Sequence, residues 1–255
     1  MQVLRYVGRI PQFKFQNDIE ILPIGDMHIG HPSFDEQLFA KYIDYASTKD
    51  NAYISLMGDE LESEIPSHSG NWGYDQKYLI DEQIEHFYEL MKPIKDKKKV
   101  LTKVSSTHTG WIKKLVGHDI DKEMAKELDA EYLGIGGYWR TKVGDKDYTF
   151  YQQHGCSSSK YPQYELLKAM DIYPTADIYL LGHIHQIDCH PYTKRVAYGD
   201  NEFERIQWAI RTGAFVRDKD WARERLLPKP NIGCPKIILS ARKKDIKISL
   251  DSMDT

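Results

Sequence analysis

An α/β fold is what the chain predicts, on three observations. Apolar runs of strand length at 19–24, 52–57 and 176–181 each close on a glycine: Gly25, Gly58 and Gly182. Between and around them lie amphipathic stretches with helical spacing. Directly past the glycines stand side chains of metal-ligand type: Asp26 and His28, Asp59, and His183 and His185. α/β folds build their sites at the carboxyl edge of a sheet, so chemistry is expected there.

Taken in order, residues 3–15 read as a short strand pair ahead of the first core strand. After His28, the loop Ile29-Gly30-His31-Pro32 leads into an amphipathic helix over 34–46. Gly30 suits a backbone passing close to a site, and His31 reads as a solvated loop residue. Past Asp59, a stretch rich in Ser, Gly and His runs into a helix near 75–91. Within it, 67–73 reads as a long polar loop beside the site. His68 there is a candidate substrate contact, and Trp72 reads as a residue pinning the loop to the body.

The run Asp96-Lys97-Lys98-Lys99 reads as a solvated turn before a strand at 100–104. Residues 110–129 make one or two helices, with Ile120, Met124 and Leu128 forming one apolar stripe at i, i+4 and i+8. Strands at 137–143 and 148–153 are joined by the turn Gly144-Asp145-Lys146, and the second ends at His154-Gly155. A helix over 162–171 follows. Beyond His185 the pattern alternates as strands at 196–198, 205–211, 235–240 and 245–250. Arg217 is a candidate substrate contact, and 218–230, with Arg223, Arg225 and Lys229, is a basic rim or a solvated segment.

Composition narrows the class. At 255 residues, with 41% hydrophobic and 29% charged content, the chain is ordinary for a soluble globular protein, and one domain over 1–255 is the simplest account. A net charge of −3 lacks the global basic footprint of a non-specific nucleic-acid binder. No apolar run approaches a membrane span, and the first residues lack the core of an export signal. Three cysteines without C-x-x-C spacing indicate neither a disulfide framework nor a zinc knuckle, which fits reduced thiols in the cytoplasm. Cys156, two residues from His154, reads as a small loop residue.

Histidine is the commonest borderline metal ligand, and on an extended backbone His183 and His185 would point to one side. In order along the chain stand Asp26-Met27-His28, Gly58-Asp59-Glu60-Leu61-Glu62, Ser106-Thr107-His108-Thr109, His154 and Gly182-His183-Ile184-His185. This series resembles the blocks of the calcineurin-like metallophosphoesterase superfamily: D-x-H, G-D-x-x-[DE], G-N-H-[DE], a lone His and G-H-x-H. The third block departs from the pattern. Ser106 stands for the glycine, Thr107 for the asparagine and Thr109 for the acidic residue.

The resemblance implies a four-layer αββα sandwich of two mixed sheets. Residues 60–95 would be a loop and helix insertion near the site, and 186–255 the C-terminal strands of the second sheet. It implies one metal on Asp26, His28, Asp59 and His185. A second would share Asp59 and take His154, His183 and the Thr107 position. His108 would protonate the leaving group or stabilise transition-state charge. Mixed Asp/His ligation suits manganese first, with iron or zinc as alternatives. A threonine hydroxyl is a weaker oxygen donor than an amide carbonyl, so one tight and one loose cation are expected.

The activity implied is phosphoester hydrolysis by a metal-bound hydroxide. The D-x-H-x-G form of Asp26–Gly30 resembles the nuclease branch, so a phosphodiesterase or nuclease acting on nucleic acid or a nucleotide comes first. A phosphomonoesterase acting on nucleotides or phosphoproteins is the alternative. A non-catalytic binding module that keeps the fold is a third reading.

Overall fold

A computed structural model of the chain describes residues 8–65, 76–156, 161, 163–217 and 228–250. Twelve strands form two six-stranded mixed sheets. The first has the order β12-β11-β2-β3-β4-β5: β2 (Ile19–Ile24), β3 (Ala52–Leu56), β4 (Val100–Lys103) and β5 (Glu131–Tyr132) run parallel, and β11 (Lys236–Leu239) and β12 (Ile246–Ser249) add antiparallel pairings. The second has the order β1-β6-β7-β8-β10-β9, from β1 (Gln12–Phe15), β6 (Gly136–Val143), β7 (Lys146–Gln153), β8 (Ile178–Leu181), β9 (Ile187–Tyr198) and β10 (Asn201–Thr212).

Period-two alternation sorts the side chains into three apolar layers. Ile19 and Ile21 of β2, Tyr148 and Phe150 of β7, and Ile178 and Leu180 of β8 fill the space between the sheets, with Trp139 stacked on Phe150 at 3.9 Å. Leu22 and Ile24 face the other way. They pack under α1 (Glu36–Thr48), α2 (Ile80–Lys95) and α4 (Ile120–Glu127), with Ile112 of α3 (His108–Val116) at the margin. On the far side, Tyr151, Tyr179 and Leu181 pack against Leu166, Ala169 and Met170 of α5 (Gln163–Ile172). Helix, sheet, sheet, helix: this is the sandwich the resemblance implies.

Several expectations need correction. The strands past His185 divide between the sheets: β9 and β10 close one, and β11 and β12 close the other. Alternation in the short run Lys236–Leu239 specifies a strand but not its neighbour, and its ladder with β2 (Ile237↔Ile21) assigns it to the first sheet. α2 belongs to the outer helical layer, where Phe87, Met91 and Ile94 bury one face beside Phe39 and Tyr42 of α1. The expected pair at 3–15 is a single described strand, which runs parallel to β6; residues 1–7 lie outside the described residues. The loop at 67–73, with His68 and Trp72, also lies outside them.

Candidate metal centre

The carboxyl ends of β2, β3, β4, β7 and β8 converge on one edge of the sandwich. Past the end of β2, main-chain bonds continue the ladder to the next loop: Asp26 N–H donates to the Gly58 carbonyl at 2.9 Å, and His28 N–H to the Asp59 carbonyl at 3.0 Å. Gly182 N–H donates to the His154 carbonyl at 2.8 Å, tying the loops after β7 and β8. Gly58 has φ +94°, and a Cβ there would lie 2.8 Å from His154 Nδ1. A Cβ at Gly182 would meet Asp26 Oδ2 at 2.8 Å. Both glycines are therefore required by the close approach of the loops.

The backbone at the site is not extended. Asp26, His28, Asp59, His183 and His185 all have φ between 50° and 72°, the left-handed region that non-glycine residues seldom adopt. Five such residues at one edge are stored strain of the kind found at functional sites, of order 1–3 kcal/mol each. The expected common direction of His183 and His185 fails for this reason. They join different clusters.

Ligand-type atoms gather in three groups: Asp26, His28 and His185; His28, Asp59 and His108; and Asp59, His154 and His183. Asp26, His28, Asp59 and His154 are buried, and His108, His183 and His185 are half-buried. His28 Nε2 and His185 Nε2 face each other at 3.2 Å, and His154 Nε2 and His183 Nδ1 at 3.3 Å. Paired ring nitrogens at such distances repel unless a proton or a cation lies between them. Asp26 Oδ1 is fully buried without a hydrogen bond, 3.3 Å from His185 Nε2. Orphaned carboxylate oxygen among imidazole nitrogens is the donor chemistry a divalent cation fits.

Outer contacts set the ring orientations. Glu62 Oε2 lies 2.7 Å from His28 Nδ1, and His154 Nδ1 donates to the Met57 carbonyl at 2.7 Å. In each case Nε2 is the nitrogen turned toward the cluster, the usual arrangement around a ligating histidine. His108 Nδ1 donates to the Glu62 carbonyl, and its ring stands edge-on to His28 at 4.7 Å. Glu62 was visible only as the last residue of its block; its hold on His28 was not.

Charge is strongly coupled here. Burial works against the ionised form of Asp26, but His154 and His185 outweigh it and hold the carboxyl down to about 2. Burial opposes ionisation of Asp59 too, and His154 and His108 carry it well below the usual range. His154 is pushed up to about 10, because Asp59 and Asp26 outweigh the desolvation of its charged form. Burial, then the neighbouring His154, pulls His183 down.

Thr107, at the asparagine position, directs its hydroxyl at Asp59 Oδ2 (2.6 Å). Its own N–H and that of His108 donate to Asp59 Oδ1 at 2.7 and 3.1 Å, so Asp59 also caps the N-terminus of α3. His31, expected in solvent, is buried, with Nδ1 accepting from Ser33 N–H. Gly30 does make a close approach, but to the side chain of Gln83 on α2. Arg217 is exposed, and its guanidinium pairs with Asp35, the N-cap of α1. Cys156 is exposed and belongs to none of the three groups. Arg223 and Arg225 lie outside the described residues.

No protein-family model matches the chain, and no curated protein is significantly similar to it. Among solved structures it is similar to a predicted phosphoesterase from Streptococcus pneumoniae (13% identity, TM-score 0.36, covering 91% of this chain and 97% of that one). It is also similar to Vps29 from Entamoeba histolytica complexed with zinc (15%, TM-score 0.40, 91% and 97%). A third likeness is vacuolar protein sorting 29 from Cryptosporidium parvum (15%, TM-score 0.39, 92% and 98%). Likenesses this distant assign no activity to the chain.

Proposed function

We propose that this chain is a metal-dependent phosphoesterase, and first of all a phosphodiesterase acting on nucleic acid or a nucleotide. The observation that carries the reading is the pair of clusters, Asp26–His28–His185 and Asp59–His154–His183, where the strand ends of both sheets meet, with Asp59 grouped also with His28 and His108. Asp26, His28, Asp59 and His185 would hold one divalent cation; Asp59, His154 and His183 would hold the other. Manganese suits this Asp/His set, as do iron and zinc. When bound, such ions supply Lewis-acid stabilisation of phosphoryl charge and an activated water.

The chain's own residues supply the rest. Glu62 and the Met57 carbonyl fix the His28 and His154 rings. His108, its Nδ1 engaged by the Glu62 carbonyl, stands beside His28 as the proton donor for a departing oxygen. Arg217, a candidate for binding a dianion, pairs with Asp35 at the start of α1. We infer a cytoplasmic setting from the free thiols. No described helix is long and apolar enough to cross a membrane.

The test is hydrolysis of bis(para-nitrophenyl) phosphate and of the matching monoester, each with manganese, with His28→Ala as control. Diester turnover that disappears in the control is expected. Preference for the monoester would promote the phosphatase alternative. Protein that holds metal and turns over neither ester would point to a binding module.

A further inference from the structure

The third block departs from the superfamily pattern at Ser106, Thr107 and Thr109, and each departure brings in a hydroxyl. Every one of those hydroxyls meets a buried carboxylate. Ser106 Oγ lies 2.8 Å from Asp121 Oδ1 and 3.1 Å from Glu60 Oε2; Thr109 donates to Asp121 Oδ2 at 2.6 Å, and Thr107 to Asp59 Oδ2 at 2.6 Å. Glu60 and Asp121 are themselves gathered by Lys103, whose fully buried ammonium lies 2.5 Å from Glu60 Oε2 and 2.9 Å from Asp121 Oδ1.

Main-chain groups of both site loops hang on the same cluster. Ser106 N–H donates to Asp121 Oδ2 at 2.8 Å, Gly58 N–H to Glu60 Oε1 at 3.1 Å, and Asp59 N–H to Ser106 Oγ at 2.9 Å. Burial disfavours the charged Lys103, but Asp121 and Glu60 more than reverse this and raise its pKa, so the ammonium is a fixed charge. A buried cation with satisfied carboxylates and hydroxyls has one low-energy arrangement, and what it holds it holds rigidly. Here it holds the Asp59 loop against the loop that carries Thr107 and His108.

We propose that Lys103, Glu60, Asp121 and the hydroxyls of Ser106, Thr107 and Thr109 form a positioning network that sets Asp59 and His108 in register, with Thr107 clamping Asp59 by its hydrogen bond and not serving as a metal ligand. The inference rests on the reading of Asp59 as metal-holding and His108 as the acid.

Three near-isosteric variants test it: Thr109→Val, Thr109→Ser and Thr107→Val. Each is checked for folding by circular dichroism, titrated calorimetrically with manganese, and assayed for kcat and KM on the aryl diester. Thr109→Val should lower kcat about 10-fold with KM little changed, because a misplaced acid costs rate and not binding. Thr109→Ser, which keeps the hydroxyl, should restore the wild-type value. Thr107→Val should weaken manganese binding by the roughly 10- to 100-fold typical of losing an outer contact to a ligand, whereas losing a ligand itself would cost more.

Wild-type kcat in Thr109→Val, or no rescue by Thr109→Ser, would overturn the network. A manganese affinity left unchanged by Thr107→Val, or lowered by more than about 100-fold as for a lost ligand, would overturn the clamp. Wild-type protein that binds manganese without turnover leaves the calorimetric comparison to decide the clamp and refutes the positioning of an acid. Wild-type protein that binds no manganese removes the functional reading and this inference with it.

Discussion

Removing the Glu62 carboxylate should loosen the cation held by Asp26, His28 and His185 without touching any of those ligands. Glu62 Oε2 lies 2.7 Å from His28 Nδ1, and the two side chains are 2% and 3% exposed, so solvent screens the contact little. A polar contact to a charged partner contributes about 1.5–3 kcal/mol, and one to a neutral partner about 0.5–1.5. Glu62→Gln keeps an acceptor and loses the charge, a difference of about 1 kcal/mol or roughly fivefold in affinity. Glu62→Ala removes the acceptor and should cost about 10- to 100-fold, as for other partners of ligating histidines. The main-chain carbonyl that receives His108 Nδ1 is retained in both variants. Calorimetric titration with manganese at pH 7 reads the effect, with affinities in the order wild type, Glu62→Gln, Glu62→Ala. An Ala variant within twofold of wild type would refute the reasoning.

Two other perturbations have definite signs. Lys103→Met leaves Glu60 and Asp121 buried without their cation; breaking such a group costs about 3–5 kcal/mol, or a Tm lower by roughly 6–20 °C at this chain length. A melting curve displaced by less than about 3 °C would contradict it. In metal-free protein, His154 has its pKa raised to about 10, so its stabilising contribution is complete below about 6.5 and is lost as pH rises toward 10. Protein stripped with a chelator should therefore melt at falling temperature from pH 7 to pH 10. Manganese binding near pH 7.5 should release a proton, seen in calorimetry with buffers of different ionisation heats. A flat melting profile, together with no proton release, would count against the assignment.

Much of the fold was legible because strand-length apolar runs closed by glycines leave few alternatives. The candidate ligands were legible because they stand immediately past those runs. What stayed hidden depends on tertiary contact. In β9, Asp188, His190, Pro191 and Thr193 interrupt any apolar pattern, so only its end at 196–198 was visible; the twelve-residue ladder with β10 defines the rest. The left-handed backbone of five of the ligand candidates leaves only a faint mark in residue type: aspartate and histidine are enriched in that region, yet most of them lie outside it. His31 read as solvated because nothing local indicates that it is buried. Nothing in the sequence singles out Lys103. Its ion-pair partners come from the loop after β3 (Glu60) and the first turn of α4 (Asp121), and no spacing rule connects them.

Two clusters of Asp and His would hold two cations that share Asp59. Anomalous diffraction from crystals grown with manganese tests this most directly. Two peaks are expected: a strong one among Asp26, His28, Asp59 and His185, and one of lower occupancy among Asp59, His154 and His183. Peaks of equal occupancy that both persist at substoichiometric manganese would contradict the asymmetry drawn from Thr107. No peak at this edge of the sandwich, in protein that binds manganese in solution, would contradict the metal centre itself.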